Sequence, residues 1–337
     1  MTDHTFTISA GELNYQMVLP HWETDYIQGL LAKNGEPYEL GMLQAMAAHL
    51  AQNDLVLDVG ANIGNHTFYL ASVCGCRIKA FEPNPDLCKP FRQTIALNSL
   101  EPQVELYEVG VGEASGHAHF AVHTPENLGG QSLKVEETEA SSIQVITLDS
   151  LNLQDRVRAI KVDVEGMELA VLEGARTLIA RDMPYLFVEA QTEVDFEALQ
   201  AVVVDLGYVY WDTFNATPTH WFIHKDELGE ERIIDHYFEK GRDSYKLRLA
   251  KREVQQKLSE ANRKYREANI RIDALKSKLE AANENYRKAT ADYSALKEKH
   301  IAELEQLRSQ LEKARASTDI SFTEDSLAFD FSISDEG

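Results

Sequence analysis

The chain has little cysteine and no long apolar run, and each absence excludes a class of protein. Its three cysteines, Cys74, Cys76 and Cys88, cannot form a disulfide framework, and the spacing of the first two matches neither a zinc site nor a redox motif. It lacks the run of about 18 apolar residues that a membrane-spanning helix requires. The N-terminus has no basic start followed by an apolar stretch, so no secretory signal is expected. These features predict a protein of the reducing cytoplasm.

Basic residues are scarce in the first part of the chain. Residues 1–241 contain 14 Lys or Arg and 37 Asp or Glu, whereas residues 242–316 contain 19 basic and 12 acidic residues. Residues 317–337 contain six acidic residues and no Lys or Arg. Because a strongly negative surface repels polyphosphates, a nucleic-acid partner is not expected. The changes of charge also mark two boundaries.

Strand and helix patterns alternate from Leu55 onward, which predicts an α/β fold with helices on both faces of a parallel sheet. The strand candidates are LVLDVG, RIKAFEP, VELYEVG, AIKVDVEG, PYLFVEA, YVYWDT and THWFIHK, and the helices between them are NHTFYLASVC, PDLCKPFRQTIALNS, MELAVLEGARTLIARD and FEALQAVVVDLG. The connection before the last strand is too short for a parallel crossover, so the last two strands must form a hairpin. The pattern therefore predicts the class I methyltransferase, Rossmann-like, seven-stranded sheet, with six parallel strands and the last strand antiparallel.

Residues 112–145 interrupt this alternation. The segment is rich in Gly, Ser and Thr, so we expect an inserted hairpin or a lid over the site. It contains His117, His119 and His123, which are rival candidates for a catalytic base. Such histidines more often occupy surface or hairpin positions, and the sequence leaves both roles open.

Beyond residue 241 the pattern becomes that of a long helix. The apolar positions follow 4,3 spacing without Gly or Pro: Val254, Leu258, Ala261, Tyr265, Ala268, Ile272, Leu275, Leu279, Ala282, Tyr286, Ala289, Tyr293 and Leu296. This heptad pattern predicts an α-helical coiled coil that pairs with copies of itself, in a number that the sequence does not specify. In the acidic tail, four large apolar residues alternate with small or acidic ones. The tail is either disordered or adds as a strand to the sheet of a partner.

These patterns divide the chain into five segments. They are an N-terminal leader with partly helical character (1–50), a methyltransferase domain (51–228), a connector (229–241), a coiled coil (242–316) and an acidic tail (317–337).

The stretch VLDVGANIG places Asp58 at the end of a buried strand, with Gly60, Asn62 and Gly64 just before a helix. Free N–H groups at a helix N-terminus bind anions, and glycine lets the backbone approach a ligand closely. The stretch differs from the dinucleotide pattern G-x-G-x-x-G, and an acid at the strand end would repel a pyrophosphate. It suits S-adenosyl-L-methionine, which has an amino group for the acid and a carboxylate for the N–H groups.

Glu82 follows the next strand, 24 residues after Asp58. An acid at the tip of the second strand is placed to accept hydrogen bonds from ribose hydroxyls. The alternative is a helix cap. Together the two acids favour a nucleoside with a free 2′-hydroxyl.

Three more acids are expected at the same edge of the sheet. Asp163 and Glu165 follow the strand AIKV, and Glu189 ends the strand after it. Asp163 is the first candidate for a general base or for orienting an acceptor hydroxyl. Glu165 is alternatively an acid at a helix N-terminus. Asp163 and Glu189 could hold a divalent ion, although nothing in the sequence fixes a metal.

The stretches DVGANIGNHTFYLA, FEPNP and IKVDVEGMELAVLEGA together resemble the three signature segments of the FkbM-type methyltransferase family, in the right order and spacing. The resemblance covers residues 30–225 and leaves the coiled coil outside. It implies a class I fold and methyl transfer from S-adenosyl-L-methionine, typically to a hydroxyl group of a sugar or a polyketide-derived acceptor.

The resemblance also implies roles for individual residues. It places Asp58, Gly60, Asn62 and Gly64 at the methionine end of the cofactor, Glu82 at the ribose, and Asp163 with Glu165 beside the transfer site. The residue-level interpretation adds Asn65 and Asp163 to the residues expected at the cofactor, and Glu189, at its strand end, to the expected catalytic residues Asp163 and Glu165. His66 is expected near the carboxylate of the cofactor rather than as a base. Asn98 and residues 110–112 are candidates for the adenine pocket.

The predicted function is an S-adenosylmethionine-dependent O-methyltransferase that acts on a sugar hydroxyl and caps or decorates a bacterial surface polysaccharide such as an O-antigen. The acceptor would be a glycan or a lipid-linked glycan. The chain would form a homo-oligomer through its coiled coil and bind a glycosyltransferase or polymerase through residues 317–337. It would lie in the cytoplasm, or peripherally at the inner membrane through that partner. Two alternatives are a small-molecule O-methyltransferase of secondary metabolism and a non-catalytic coiled-coil scaffold.

Overall fold

A computed structural model describes residues 4–120, 133–136 and 143–317. The chain divides into two compact units, residues 1–242 and residues 243–337. Apart from Ser317, the predicted acidic tail lies outside the described residues.

The described elements are numbered in chain order. The strands are β1 (Thr5–Ala10), β2 (Leu13–Val18), β3 (Leu55–Val59), β4 (Arg77–Phe81), β5 (Val104–Tyr107), β6 (Gly110–Val111), β7 (Gly116–Phe120), β8 (Leu133–Glu136), β9 (Ile143–Ile146), β10 (Val157–Val162), β11 (Tyr185–Glu189), β12 (Tyr208–Phe214) and β13 (Thr219–His224). The α-helices are α1 (Tyr26–Asn34), α2 (Leu40–Ala47), α3 (Asn65–Cys74), α4 (Pro85–Leu97), α5 (Glu168–Glu173), α6 (Arg176–Asp182), α7 (Glu193–Asp205) and α8 (Lys225–Ser317).

The central sheet confirms the predicted fold class. Its seven strands lie in the order β12–β13–β11–β10–β3–β4–β5. Neighbouring strands from β11 to β5 are parallel, whereas β13 runs antiparallel to both β11 and β12. The last two strands therefore form a hairpin that inserts one antiparallel strand among six parallel ones.

The strands at the centre of the sheet are apolar on both faces, which favours packing of other elements on each face. Every residue of β3 and of β11 is buried, the pattern expected for strands with helices on either side. One face packs on a core that contains Phe68 and Phe91, and the other on a core that contains Val171 and Leu172. The carboxyl ends of the parallel strands are thereby held rigidly at one edge.

The predicted helix MELAVLEGARTLIARD is two helices, α5 and α6. A Cβ atom on Gly174, between them, would lie 2.0 Å from the carbonyl oxygen of Gly112, so the backbones meet too closely for any side chain. The Asp149 carboxylate accepts hydrogen bonds from the N–H groups of Thr177 (3.0 Å) and Leu178 (2.8 Å) and satisfies the new N-terminus of α6. The close approach and this cap explain the break.

Residues 1–50 contain a β-hairpin that the sequence did not predict, in addition to α1 and α2. Its strands β1 and β2 are joined at Gly11, whose φ is +67°. Asn98 holds the hairpin on α4, because its side chain accepts from the Gln16 N–H (2.9 Å) and donates to the Gln16 carbonyl (2.7 Å). Asn98 thus ties the N-terminal segment to the domain, and it does not line the cavity described below, whereas Gly110 does.

The predicted insertion forms a second sheet, in the order β6–β9–β7–β8. Strands β7 and β8 are the antiparallel pair expected of an inserted hairpin. Residues 121–132 and 137–142 lie outside the described residues, and so does the candidate base His123.

Helix α8 confirms the long C-terminal helix. Its one non-helical residue is Gly229, with φ 72° and ψ 158°. Within the first unit, His236 stacks on Trp211 with ring centroids 3.9 Å apart. Every residue from Arg242 to Ser317 is exposed, the predicted apolar stripe included. Self-association through that stripe stays a prediction. In the described part of the chain, no helix is long and apolar enough to cross a membrane.

Candidate active site

A cavity opens at the carboxyl ends of β3, β4, β10 and β11. It encloses about 1260 Å³ of space, its open mouth included. Its wall combines the loop after β3, the acids at the strand ends, Phe120 at the end of β7, and side chains from the N-terminal segment. A cavity at this edge of a parallel sheet is where ligands of α/β folds bind.

The loop after β3 requires glycine at two positions. Gly60 has φ +77°, and a Cβ atom there would lie 1.8 Å from the carbonyl oxygen of Asp163. Gly64 has φ +92°, and a Cβ atom there would lie 2.3 Å from the ring of Phe68. Asn62 is also left-handed, with φ 52°, and its side chain accepts from the next N–H. Gly60 and Asn62 line the cavity, whereas Gly64 shapes the turn into α3.

Glu82 lies on the cavity wall and supports the same loop. Its side chain accepts hydrogen bonds from the backbone N–H groups of Asn62 and Asn84, each at 2.8 Å. Burial raises the pKa of Glu82 to about 7, although these hydrogen bonds oppose the change. Each carboxylate oxygen keeps a second lone pair for a ligand hydroxyl. The structure thus places Glu82 on the cavity wall, and its contact with a ribose stays a prediction.

Asp58 does not lie where a ligand of the cofactor amino group was expected. It is 1% exposed and does not line the cavity. Thr67 donates a hydrogen bond to one carboxylate oxygen at 2.6 Å, and the Lys161 ammonium lies 3.6 Å from the other. The structure therefore gives Asp58 a cationic partner inside the protein.

Lys161 is a residue of the cavity wall that sequence reasoning missed. It is 2% exposed, donates to the Gly60 carbonyl at 2.9 Å, and lies 3.2 Å from Asp163 Oδ2. Burial alone would lower the pKa of Lys161, but the carboxylates of Asp163, Asp58 and Glu39 raise it above its ordinary value. A lysine inside the otherwise apolar strand AIKV was the available signal, because a buried charge must be paired.

The carboxyl groups of Asp163 and Glu189 lie together on the cavity wall, close enough to share a proton. Burial and the neighbouring Asp163 carboxylate raise the pKa of Glu189 to about 9. Burial opposes ionisation of Asp163 as well, but Lys161 and the hydrogen bond from Glu189 hold the pKa of Asp163 below its ordinary value. At neutral pH Glu189 therefore carries the shared proton, and Asp163 is ionised.

Glu189 also has an unsatisfied oxygen. Although Glu189 is only 7% exposed, its Oε2 has no hydrogen-bond partner among the residues that the structure describes. Buried polar atoms are nearly always hydrogen-bonded, and the proton shared with Asp163 is the partner that the structure offers the Glu189 carboxyl.

Glu165 lies at the rim of the cavity with a left-handed backbone, φ 56°. It accepts a hydrogen bond from Gln191 at 2.9 Å, and burial raises its pKa. Glu168 takes the alternative role considered for Glu165, because it accepts from the N–H groups of Val164 and Gly166 at the turn into α5.

The N-terminal segment supplies one wall of the cavity, which the sequence did not predict. Asn65 accepts from the Tyr38 N–H and donates to the Tyr38 carbonyl, both at 2.9 Å. His66 Nε2 lies 2.9 Å from Glu39 Oε2. Tyr26, Tyr38 and Glu39 line the cavity with His66. No local pattern links residues that lie 27 positions apart in the sequence.

The other candidate ligands and bases lie elsewhere. In the described ranges, no group of three or more His, Cys, Asp or Glu side chains could hold a metal ion. His117 and His119 lie on β7 and do not line the cavity. A further histidine, His220 on β13, is hydrogen-bonded to Thr213 at 2.8 Å and is packed among aromatic rings, which is a structural role.

Comparison with known proteins matches this site to a family. Residues 58–210 match the family model described as the methyltransferase FkbM domain. The chain is 30% identical over 163 residues to the hexuronic acid methyltransferase AglP of Haloferax volcanii, a match that covers 47% of this chain and 64% of that relative, less than two thirds of its length.

Solved structures with a similar fold include methyltransferase FkbM from Methylobacillus flagellatus (TM-score 0.42, 20% identity, 52% of this chain and 44% of that one). An rRNA methylase from Streptococcus thermophilus is also similar (TM-score 0.36, 16% identity, 54% and 92%). The match of the family model confirms the resemblance inferred from the three sequence segments.

Proposed function

We propose that this chain, whose residues 58–210 match the family model described as the methyltransferase FkbM domain, transfers the methyl group of S-adenosyl-L-methionine to a hydroxyl oxygen of a sugar. The observation that carries the proposal is the Asp163–Glu189 pair beside the glycine loop in one cavity. Asp163 is the more exposed member of the pair and needs a hydrogen-bond donor, and a sugar hydroxyl supplies one.

The residues of the cavity fit the methyl donor. The loop at Gly60 and Asn62 allows close approach, and Glu82 offers two carboxylate oxygens to the ribose hydroxyls. The acids of the wall favour a ligand with positive charge. When bound, S-adenosyl-L-methionine supplies an activated methyl group on a sulfonium centre. The protein has to align the acceptor and exclude water, which is the larger part of the catalytic task.

The carboxyl pair fits a polyhydroxylated acceptor. Asp163 is ionised and about a third exposed (33%), so it can accept from a hydroxyl group. Glu189 lies beside it on the cavity wall, and Glu165 with Gln191 adds polar atoms at the rim. Hexuronic acids are the first acceptors to test, because a relative is named for them. A glycan or lipid-linked glycan of a bacterial surface polysaccharide is the proposed larger substrate.

The exposed apolar stripe of α8 supports association with a second copy. Its residues are spaced as in a coiled coil, and a stripe such as Leu275 and Leu279, 59% and 62% exposed, is normally covered. We therefore propose a homo-oligomer formed through residues 243–316. Residues 317–337 are the proposed contact for a glycosyltransferase or polymerase, in the cytoplasm or at the inner membrane.

Calorimetric titration of S-adenosyl-L-methionine into the full-length protein tests the proposal. We expect binding to be lost in Glu82→Ala and retained in Glu101→Ala, which changes an exposed acid outside the cavity. Glu82→Gln keeps the size of the side chain and checks that any loss is not due to unfolding, together with a melting curve of each variant. A folded wild-type protein that does not bind would contradict the proposal and favour the scaffold alternative.

A further inference from the structure

The carboxyl pair is poorly suited to remove the proton of the acceptor. A general base works best when its pKa lies near the operating pH. Lys161, 3.2 Å away, holds the pKa of Asp163 below its ordinary value, and Glu189 already carries a proton at neutral pH because its pKa is raised to about 9. The cavity therefore needs another group to take the proton.

His66 has the geometry for that step. It lies in the first turn of α3, is 7% exposed, and lines the cavity. Its Nε2 lies 2.9 Å from Glu39 Oε2. A carboxylate oxygen can only accept a hydrogen bond, so Nε2 is the nitrogen that carries the hydrogen. The other ring nitrogen, Nδ1, keeps its lone pair and has no hydrogen-bond partner among the described residues.

Glu39 is held in position by its backbone. It has a left-handed conformation (φ 59°, ψ 37°), which is uncommon for a residue other than glycine. It stands at the N-cap position of α2, yet its side chain makes no capping bond and binds His66 instead. The adjacent Asn65 clamps the backbone of Tyr38 with two hydrogen bonds. Two neighbouring residues of α3 thus fix the loop that carries this carboxylate.

We infer that His66 is the base that takes the proton of the acceptor hydroxyl, and that Glu39 is the positioning residue that fixes its tautomer. The inference rests on the proposed methyl transfer. The hydroxyl proton moves to His66 Nδ1, and the electron pair of the O–H bond stays on oxygen. As oxygen forms its bond to the transferred methyl carbon, the carbon–sulfur bond of the donor breaks, its electron pair stays on sulfur, and S-adenosylhomocysteine is the leaving group. The proton then leaves to solvent. Glu39 stabilises the imidazolium, as a carboxylate does beside a catalytic histidine.

Solid-state ¹⁵N NMR of the full-length protein, labelled at histidine and saturated with S-adenosylhomocysteine, tests the tautomer without any acceptor. The signals of His66 are identified by their loss in His66→Gln. We expect Nε2 to be protonated and Nδ1 to be unprotonated at neutral pH, and we expect Glu39→Gln to weaken this preference, because an amide can donate as well as accept. A proton on Nδ1 in the wild type would overturn the inference.

Binding and rate separate this inference from the proposed function. We expect His66→Gln to bind S-adenosyl-L-methionine as the wild type does and to lose roughly 10²- to 10⁴-fold in kcat with the best acceptor of a hexuronic acid panel. Glu39→Gln should lose less, also in kcat. His49→Gln, an exposed histidine outside the cavity, is the control. If His66→Gln weakens cofactor binding while kcat is unchanged, His66 is a cofactor ligand and the inference fails. If the wild type does not bind the cofactor, the proposed function fails instead.

Discussion

Replacing Lys161 with Met should destabilise the first unit strongly. Lys161 is 2% exposed and lies opposite Asp58 in the β3–β10 register. Its removal leaves the Asp58 carboxylate buried, unpairs Asp163 and removes the hydrogen bond to the Gly60 carbonyl. Breaking a buried ion pair in this way costs roughly 3–5 kcal/mol. We expect a loss of that size in the free energy of unfolding.

Lys79 offers a matched control. It also faces an acid across a parallel strand pair, Glu105, but that acid is 59% exposed. Exposed pairs contribute about 1 kcal/mol or less, so Lys79→Met should cost about that much. The double variant Lys161→Met with Asp58→Asn should recover part of the loss, since it removes the buried charge that the single change leaves alone.

The destabilisation caused by Lys161→Met should depend on pH. The pKa of Asp163 is below its ordinary value of 3.8, so the stabilisation that its ionisation contributes is present above that pH and declines as the pH falls through the folded pKa. The difference in the free energy of unfolding between Lys161→Met and the wild type should therefore become smaller at acidic pH. Urea unfolding followed by tryptophan fluorescence measures it, because Trp22, Trp211 and Trp221 all lie in the first unit. A Lys161→Met protein within about 1 kcal/mol of the wild type would refute the reasoning, since that is the cost of a surface pair.

Three further predictions concern other parts of the molecule. Burial raises the pKa of Glu82 from 4.5 to about 7, so the stability that protonated Glu82 contributes is present below pH 4.5 and is lost as the pH rises through 7. The free energy of unfolding of the unliganded protein should therefore decline by about 3 kcal/mol over this range, as measured by unfolding at a series of pH values. Glu82→Gln should abolish this pH dependence. Gly60→Ala should lower the free energy of unfolding by at least about 1–3 kcal/mol, because Gly60 has a positive φ and a Cβ atom there would clash with the end of a strand. Gly116→Ala should be tolerated, because the space around Gly116 is open. Melting curves compare the two variants. Leu275→Glu should reduce the molar mass measured by light scattering, and Lys278→Glu, outside the apolar stripe, should not; an unchanged mass in both would contradict the coiled-coil proposal.

The central sheet could be predicted because its signals are local. Apolar runs such as LVLDV and YLFVE end in acids at the same edge of a parallel sheet, and the short connection before β13 allows only a hairpin. Glu82, Asp163 and Glu189 reach the cavity for the same reason. The assignment of α5 and α6 as one helix was wrong, because the close approach of Gly174 to Gly112 is a tertiary contact.

The remaining parts of the site depend on contacts between distant segments. Glu39 reaches His66, and Asn65 reaches Tyr38, only after the N-terminal segment has packed on α3. The role of Asp58 depends on Lys161, which lies 103 positions later in the chain. No periodicity or short sequence motif predicts contacts between residues so far apart in the chain. The alternation in β1 and β2 around Gly11 was a usable local signal that the interpretation of a partly helical leader did not use.

The measurement that tests the account most directly is transfer of a ¹³C-labelled methyl group from S-adenosyl-L-methionine to a panel of hexuronic acids and neutral sugars by the full-length protein. The account predicts a methyl ether on a sugar hydroxyl, seen by NMR of the product, formed by the wild type and by Glu101→Ala and abolished in Glu82→Ala. A folded protein that binds the methyl donor but transfers the label only to compounds without a sugar hydroxyl would contradict it.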